Sequence, residues 1–145
     1  MSEANRAITP EDIVPMTTYV AERKERRQAV LALKKPRRIE IGPVATFYFE
    51  NYATMLAQIQ EMLYIEKGGD EQLEDELTAY NPMIPQGQEL TATLMFEIDN
   101  PEVRLKTLLS LTDVELTAYI EVNGVKTYAR PEQEVERTAA DGKTS

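Results

Sequence analysis

Residues 49–69, FENYATMLAQIQEMLYIEKGG, contain the strongest structural signal in the chain, an amphipathic helix. Asn51 precedes the helical pattern and is a residue type favoured as an N-cap. Either Gly68 or Gly69 is expected to end the helix in a left-handed conformation. The apolar residues that recur at helical spacing on one face are Tyr52, Met55, Leu56, Ile59, Met62 and Leu63. The stretch therefore predicts a helix that packs its apolar face into a core.

The same helix carries three polar residues that its apolar face does not require. Gln58 and Gln60 fall on opposite edges of the apolar stripe, and Glu61 lies on the outer side. Such residues either form a binding surface or are solvated. We expect Gln58, Gln60 and Glu61 to serve a protein-protein interface or an intramolecular polar interface.

The segments around this helix alternate between helix and strand signals. A helix is expected over residues 17–34, because Pro36 disfavours helical backbone in the residue before it. A second helix is expected over residues 71–80, with Asp70 as its N-cap, and a third after Asn100. The strand patterns lie on both sides of Gly42-Pro43, over residues 88–98, and over residues 114–129 on both sides of Asn123-Gly124, which is a strong hairpin signal. Ile120 and Val122 in the last of these patterns are expected to face inward.

Together these patterns predict an α+β fold with an antiparallel sheet of about five strands and helices packed on one face. Residues 1–130 are expected to form a single domain, which is an ordinary size for one core. Residues 131–145 are polar without a periodic pattern, so we expect this segment to be poorly ordered.

Composition excludes several kinds of chemistry. The 145 residues include no Cys and no His, which removes thiol redox chemistry, zinc sites of the usual type and Ser-His or Cys-His nucleophile pairs. Any catalysis would rest on carboxylates or lysine, and any metal would be a hard cation on oxygen ligands. We assign no catalytic residue, metal or cofactor. No apolar run is long enough to span a membrane and no signal peptide is evident, so a cytoplasmic location without a membrane partner is expected.

Charge is distributed unevenly along the chain. The net charge is -9, but residues 23–38 hold half of the 16 Lys and Arg. This balance argues against nucleic acid as a partner. Arg23 and Arg27 share a helical face with Val20 and Leu31. Each arginine is therefore expected to pair with a carboxylate. Arg37 and Arg38 enter a predicted edge strand, where they could bind an anionic small molecule or an acidic protein surface.

The remaining candidates for an interface are Glu50, Asn51, Tyr80 and Asn81. Glu50 and Glu61 are placed on the outer side of their helix, where a solvated surface is favoured over an interface, and an interface over catalysis. Tyr80-Asn81-Pro82, followed by Ile84-Pro85, predicts a rigid turn in which Asn81 bonds its own backbone.

Several of these segments also resemble a known family. The stretches ALKKPRRIEIG, IGPVATFYFENYATMLAQIQEMLYIEK and YNPMIPQGQELTATLMFEI are similar to a bacterial family described as a domain of unknown function. The signature runs from Glu50-Asn51 and Thr54 through residues 58–63 to the turn at residues 80–85, and the likeness covers residues 8–138. Relatives continue past the DGKTS ending into a further apolar strand, so the resemblance implies a truncated chain.

The resemblance implies a context for function. Members are encoded beside rubrerythrin-like diiron proteins and heterodisulfide-reductase-like iron-sulfur proteins, which implies a non-catalytic accessory or adaptor role in a bacterial redox system. The implied partner is one of those redox proteins, and a homodimer is a further assembly to consider. The alternative is a small enzyme or binding module that uses Arg and Glu on an anionic metabolite. A deep pocket joining Arg37 or Arg38 to Glu50 or Glu61 would favour that alternative, and a flat, partly apolar patch would favour the adaptor.

Overall fold

The structure, a computed structural model, describes residues 6–132 of the chain. These residues form a mixture of α-helices and small antiparallel sheets, so the predicted α+β class is confirmed. The chain divides into two compact units between Glu97 and Ile98. The predicted polar segment 131–145 lies outside the described residues except for its first two positions.

Within its described residues, the first unit contains three α-helices and one sheet. The helices are α1 (Met16–Lys34), α2 (Tyr52–Glu66) and α3 (Gly69–Tyr80), and the strands are β1 (Arg38–Ile41), β2 (Ala45–Phe49) and β3 (Ala92–Phe96). Short 3-10 turns cover Pro10–Asp12, Lys35–Arg37 and Asn81–Met83.

The sheet of the first unit is antiparallel, with strand order β1-β2-β3. A tight turn joins β1 to β2 and contains Gly42 at a φ of 66°, a conformation that glycine adopts without a steric penalty. Ile41 lies opposite Ala45 at the turn, and Phe49 lies opposite Ala92 at the other end of the sheet. The hairpin predicted around Gly42-Pro43 is therefore confirmed.

The predicted sheet of about five strands is wrong. β4 (Tyr119–Val122) and β5 (Val125–Tyr128) pair only with each other and form a separate two-stranded sheet in the second unit. Alternation along a strand predicts which residues share a face, but it carries no information about which strands pair. The two hairpins were therefore predictable, whereas their placement in two separate sheets was not.

The core of the first unit forms along α2. Met55, Ile59 and Leu63 recur at a helical spacing of four residues, and Ile59 is completely buried. They pack with Ile8 from the N-terminal segment and Ile84 from the turn after α3. Asn51 caps α2 as predicted, because its side chain accepts a hydrogen bond from the backbone N–H of Thr54 at 2.9 Å.

The junction between α2 and α3 differs from the prediction. Lys67, not a glycine, is the residue that ends α2, with a φ of 55°. Gly69 also has a positive φ and is the first residue of α3, so Asp70 lies inside α3 and is not its N-cap. The sequence therefore predicted the boundary between α2 and α3 correctly, but the predicted capping residues lie one or two positions too late in the chain.

The second unit contains α4 (Pro101–Leu109), a 3-10 turn at Val114–Leu116, and the hairpin of β4 and β5. Asn100 caps α4 as predicted, accepting hydrogen bonds from two backbone N–H groups. Asn123 and Gly124 both have positive φ, as a two-residue type I′ hairpin turn requires. The strand expected from residue 114 begins only at Tyr119, because the preceding residues form the 3-10 turn.

Candidate functional site

Gln60 is an internal residue of the first unit. Its side chain is 3% exposed, and its amide bonds both backbone groups of Val14. The amide oxygen accepts from the N–H of Val14 at 3.2 Å, and the amide nitrogen donates to its carbonyl at 3.3 Å. The side chain thus takes the place of a neighbouring strand for one residue of the N-terminal segment.

Asn81 bonds the same N-terminal segment in the same manner. Its amide oxygen accepts from the N–H of Ile8 at 2.7 Å, and its amide nitrogen donates to the Ile8 carbonyl at 3.0 Å. Asn81 was expected to bond its own turn, and that prediction is wrong. Gln86 adds a third amide contact at the same segment, donating to the carbonyl of Arg6 at 2.8 Å. Three amide side chains therefore hold the N-terminal segment onto the core.

Glu61 belongs to a cluster between α1 and α2. It accepts from Nη2 of Arg23 at 2.5 Å and from Nε at 3.2 Å, and it also accepts from the Tyr19 hydroxyl. The guanidinium of Arg23 stacks 4.3 Å from the ring centre of Tyr64. Of the two expectations for Glu61, the solvated surface is wrong, because its side chain is only 21% exposed and fully engaged. The intramolecular polar interface agrees with its contacts to Arg23 and Tyr19.

The two predicted arginine pairings have different outcomes. The pairing of Arg23 with a carboxylate is confirmed by its contact with Glu61. Arg27 lies close enough to stabilise the Glu61 charge, but it makes no ion pair with any carboxylate in residues 6–132. The predicted pairing of Arg27 is therefore wrong. Arg27 is exposed on the surface of α1.

The charges of this cluster shift the ionisation of its members. The hydrogen bond from Arg23 lowers the pKa of Glu61, and the same contact raises the pKa of Arg23. Burial, together with the hydrogen bond to Glu61, raises the pKa of Tyr19 to about 12. The cluster is thus a neutral tyrosine bonded to an ionised carboxylate and a cation at ordinary pH.

Glu50 is also buried, at 6% exposed, so the expectation of a solvated position is wrong here too. One carboxylate oxygen accepts from the Thr93 hydroxyl at 3.0 Å, and the other has no hydrogen-bond partner among the described residues. Arg37 lies nearby, but it donates to the backbone carbonyls of Phe49 and Glu50 at 2.9 and 3.4 Å. Arg38 pairs instead with Glu40 at 2.9 Å. The two arginines and two glutamates therefore do not converge on one pocket.

Two further candidate residues, Gln58 and Tyr80, are in contact with each other. The Gln58 amide lies 3.4 Å from the hydroxyl of Tyr80, a long hydrogen bond. Gln58 and Tyr80 are both half-buried. This contact connects α2 to α3 at the edge of the core.

An open groove lies along the exposed face of α1. It has a volume of about 460 Å³ and is lined by residues of α1 and by Tyr64 of α2. Val20 and Leu31 in its lining are exposed by 54% and 71%, although both are apolar. Lys24, Arg27 and Gln28 line the groove between them, together with Arg23. The shared face of Val20, Leu31 and the arginines was predictable from the sequence, whereas its exposure to solvent was not.

A second exposed apolar surface lies on the hairpin of the second unit. Ile120, Val122 and Val125 share one face, since Ile120 lies opposite Thr127 and Val122 lies opposite Val125. Their side chains are 45%, 60% and 66% exposed. Ile120 and Val122 were predicted to face inward, and this prediction is wrong. Alternation identified the apolar face but could not show whether anything covers it.

A known protein family matches this chain over almost its whole length. Residues 7–145 match a family described as "Protein of unknown function (DUF3501)". The chain belongs to the DUF3501 family. The earlier resemblance to a domain of unknown function is thereby confirmed, while the genomic neighbours implied by that resemblance stay a prediction. No curated protein matches this DUF3501 chain.

One solved structure supports the fold of this DUF3501 protein. It is the crystal structure of a novel protein of unknown function from Burkholderia pseudomallei K96243, with 34% sequence identity and a TM-score of 0.78. The match covers 85% of the present chain and 71% of the other. The arrangement of helices and strands is therefore similar in the two proteins.

Within residues 6–132, no group of three or more carboxylates is placed to hold a metal ion. Over the same residues, no helix is long and apolar enough to cross a bilayer.

Proposed function

We propose that this DUF3501 protein is a non-catalytic accessory protein of the bacterial cytoplasm that acts by docking onto other proteins. The observation that supports this proposal is the exposed apolar surface of the second unit. Between residues 98 and 132 no side chain is fully buried. Large apolar side chains that are at least 42% exposed occur at Val103, Leu105, Leu109, Leu116, Tyr119, Ile120, Val122, Val125 and Tyr128.

An uncovered hairpin of this kind is unusual for a free protein. A two-stranded sheet is only marginally stable in water unless it packs against another element. The face formed by Ile120, Val122 and Val125 is continuous across both strands and carries no charge. Exposed apolar faces of soluble proteins commonly mark contact sites for other proteins. Burial of this face in a complex would stabilise both the hairpin and the assembly.

The alternative, an enzyme or binding module for an anionic metabolite, has no comparable support. Arg37 binds backbone carbonyls and Arg38 pairs with Glu40, so both guanidinium groups are engaged within the chain. Glu61 is engaged with Arg23. An anion site needs donors that converge on unoccupied space, and Arg37 and Arg38 do not provide them.

The partner class follows from the family resemblance alone. We propose a rubrerythrin-like diiron protein or an iron-sulfur protein of a redox system as the first partner to test. This chain has no Cys or His with which to hold either cofactor, so its contribution would be binding.

The hairpin face gives the test of this proposal. In the variant Ile120→Thr, Val122→Thr and Val125→Thr, threonine keeps a high strand propensity while removing the apolar surface. We expect at least a tenfold lower recovery of redox partners when the tagged variant is purified from its native organism and quantified by mass spectrometry. The melting temperature should change little, because the three side chains are exposed.

The opposite face of the same hairpin supplies the matched control. Glu121 and Lys126 lie opposite each other there, and the variant Glu121→Gln with Lys126→Gln leaves the apolar face and the net charge intact. This control should retain the partners of the unmodified protein. Undiminished partner recovery by the threonine variant would contradict the proposal. Loss of self-association alone, measured by size-exclusion chromatography, would also contradict it, since the face would then serve only a dimer.

A further inference from the structure

The exposed face of α1 carries a regular pattern of apolar and cationic residues. Val20, Lys24, Arg27 and Leu31 are spaced by four, three and four residues, so they form one line along the helix. All four are exposed, and all four line the groove beside Tyr64. At a rise of about 1.5 Å per residue, the line extends over roughly 16 Å, or three helical turns.

The charges on this line are available to a partner. Arg23 is engaged with Glu61, but neither Lys24 nor Arg27 makes an ion pair with a carboxylate of the described residues. The groove is thus a cationic centre between two exposed apolar side chains, on a chain whose net charge is -9. Such a local reversal of sign attracts an acidic surface and not another cationic one.

We propose that this groove docks an acidic amphipathic helix of a partner protein. A helix that lies along α1 would meet Val20 and Leu31 with apolar side chains and Lys24 and Arg27 with carboxylates. The required motif is apolar, acidic, acidic, apolar at spacings of four, three and four residues. Because this spacing reads the same in both directions, parallel and antiparallel docking both satisfy it.

A second copy of the chain fits the groove less well. Its acidic helix α3 could supply carboxylates, but Leu73 and Leu77 of α3 are packed against its own core. It would therefore offer charge without the two apolar contacts. An anionic membrane is also disfavoured, since the net charge of the whole chain repels it and the groove presents only two aliphatic side chains.

This inference rests on the proposed docking function, but it concerns a different surface from the hairpin. The test therefore uses a synthetic peptide and does not depend on the identity of the natural partner. The probe is a capped helical peptide of about four turns, with leucine at the two apolar positions, glutamate at the two acidic positions and neutral helix-forming residues elsewhere. We expect micromolar binding by fluorescence anisotropy, and we expect it to weaken as salt is raised.

Charge reversal in the groove provides the decisive comparison. The variant Lys24→Glu with Arg27→Glu should lose tenfold or more in affinity for the acidic peptide, and it should gain affinity for the same peptide with lysine in place of glutamate. Lys35→Glu with Lys106→Glu is the matched control, because it changes the net charge equally at exposed positions outside the groove lining. This control should bind the acidic peptide within about twofold of the unmodified protein, as expected for charges outside the contact.

Folding of the reversed variant is checked by its melting curve, because Arg27 contributes to the field around Glu61. If it unfolds, Lys24→Gln with Arg27→Gln replaces it, with the same loss expected for the acidic peptide. Equal binding of the acidic and lysine peptides by the unmodified protein would overturn the proposal. So would binding to anionic phosphatidylserine vesicles that is lost in the reversed variant while no peptide binds. Failure of the peptide test with loss of partners in the hairpin variant would reject the groove and leave the proposed function standing.

Discussion

Replacing Gln60 with alanine is expected to lower the free energy of unfolding by about 2 to 3 kcal/mol. The amide satisfies the N–H and the carbonyl of Val14, and alanine would leave both groups without that partner. Each unsatisfied, partly buried backbone group costs about 1 to 3 kcal/mol, and water entering the space recovers some of that cost. For a domain of this size the melting temperature should fall by about 10 °C, measured by thermal denaturation.

Gln58 is the matched control for this change. It is the same residue type in the same helix, but its hydrogen bond to Tyr80 is 3.4 Å long and both partners are half-buried. Gln58→Ala is expected to change the free energy of unfolding by no more than about 0.5 kcal/mol, since alanine is also a good helix former. Equal melting temperatures for the two variants would contradict the internal role of Gln60. Normal melting together with lost partner binding would instead make Gln60 an interface residue.

The predictable parts of the fold are those that are determined by interactions between residues close together in the sequence. Asn51 caps α2 through a bond to Thr54, three residues away, and Asn123-Gly124 forms the turn that its dihedral angles require. Such contacts are local, so residue type and spacing suffice to predict them. The break between α2 and α3 was located for the same reason, although Lys67 took the left-handed conformation expected of a glycine.

The roles of Gln60 and Asn81 could not be predicted, because their partners are distant in sequence. Gln60 bonds a residue 46 positions away, and Asn81 bonds one 73 positions away. On a helical wheel Gln60 lies at the edge of the apolar stripe. At that position the sequence pattern is the same whether the amide bonds buried backbone or faces water. The only sequence signal for the difference is the N-terminal segment itself, whose Ile8 is apolar enough to enter the core.

The prediction of one sheet of about five strands failed for a related reason. Every predicted strand pattern of the second unit was compatible with a place in the main sheet, and only tertiary contacts separate the two sheets. The exposed face of Ile120 and Val122 was then read as inward-facing, because an apolar alternation normally faces a core. The same pattern arises when the covering surface belongs to another molecule, and a single sequence does not distinguish these cases.

The buried phenol of Tyr19 is expected to make the protein sensitive to alkaline pH. Its pKa is raised from 10.0 to about 12 by burial and by the adjacent Glu61 carboxylate, so the folded state holds this proton more tightly than the unfolded state does. The stabilisation is therefore complete below pH 10 and is lost as the pH rises through about 12. A rise in pKa of this size corresponds to on the order of 2 to 3 kcal/mol.

The variant Tyr19→Phe isolates this contribution, because it keeps the ring against Tyr64 and removes the ionisable hydroxyl. At neutral pH it should be less stable than the unmodified protein by about 1 kcal/mol, the usual value of one hydrogen bond. Between pH 10 and about 12 that difference should shrink and then change sign, as urea unfolding at a series of pH values would measure. Tyr128→Phe removes an exposed phenol from the hairpin and serves as the control for the loss of any one tyrosine. A difference between Tyr19→Phe and the unmodified protein that stays constant across this range would show that the Tyr19 proton is not held more tightly in the folded state.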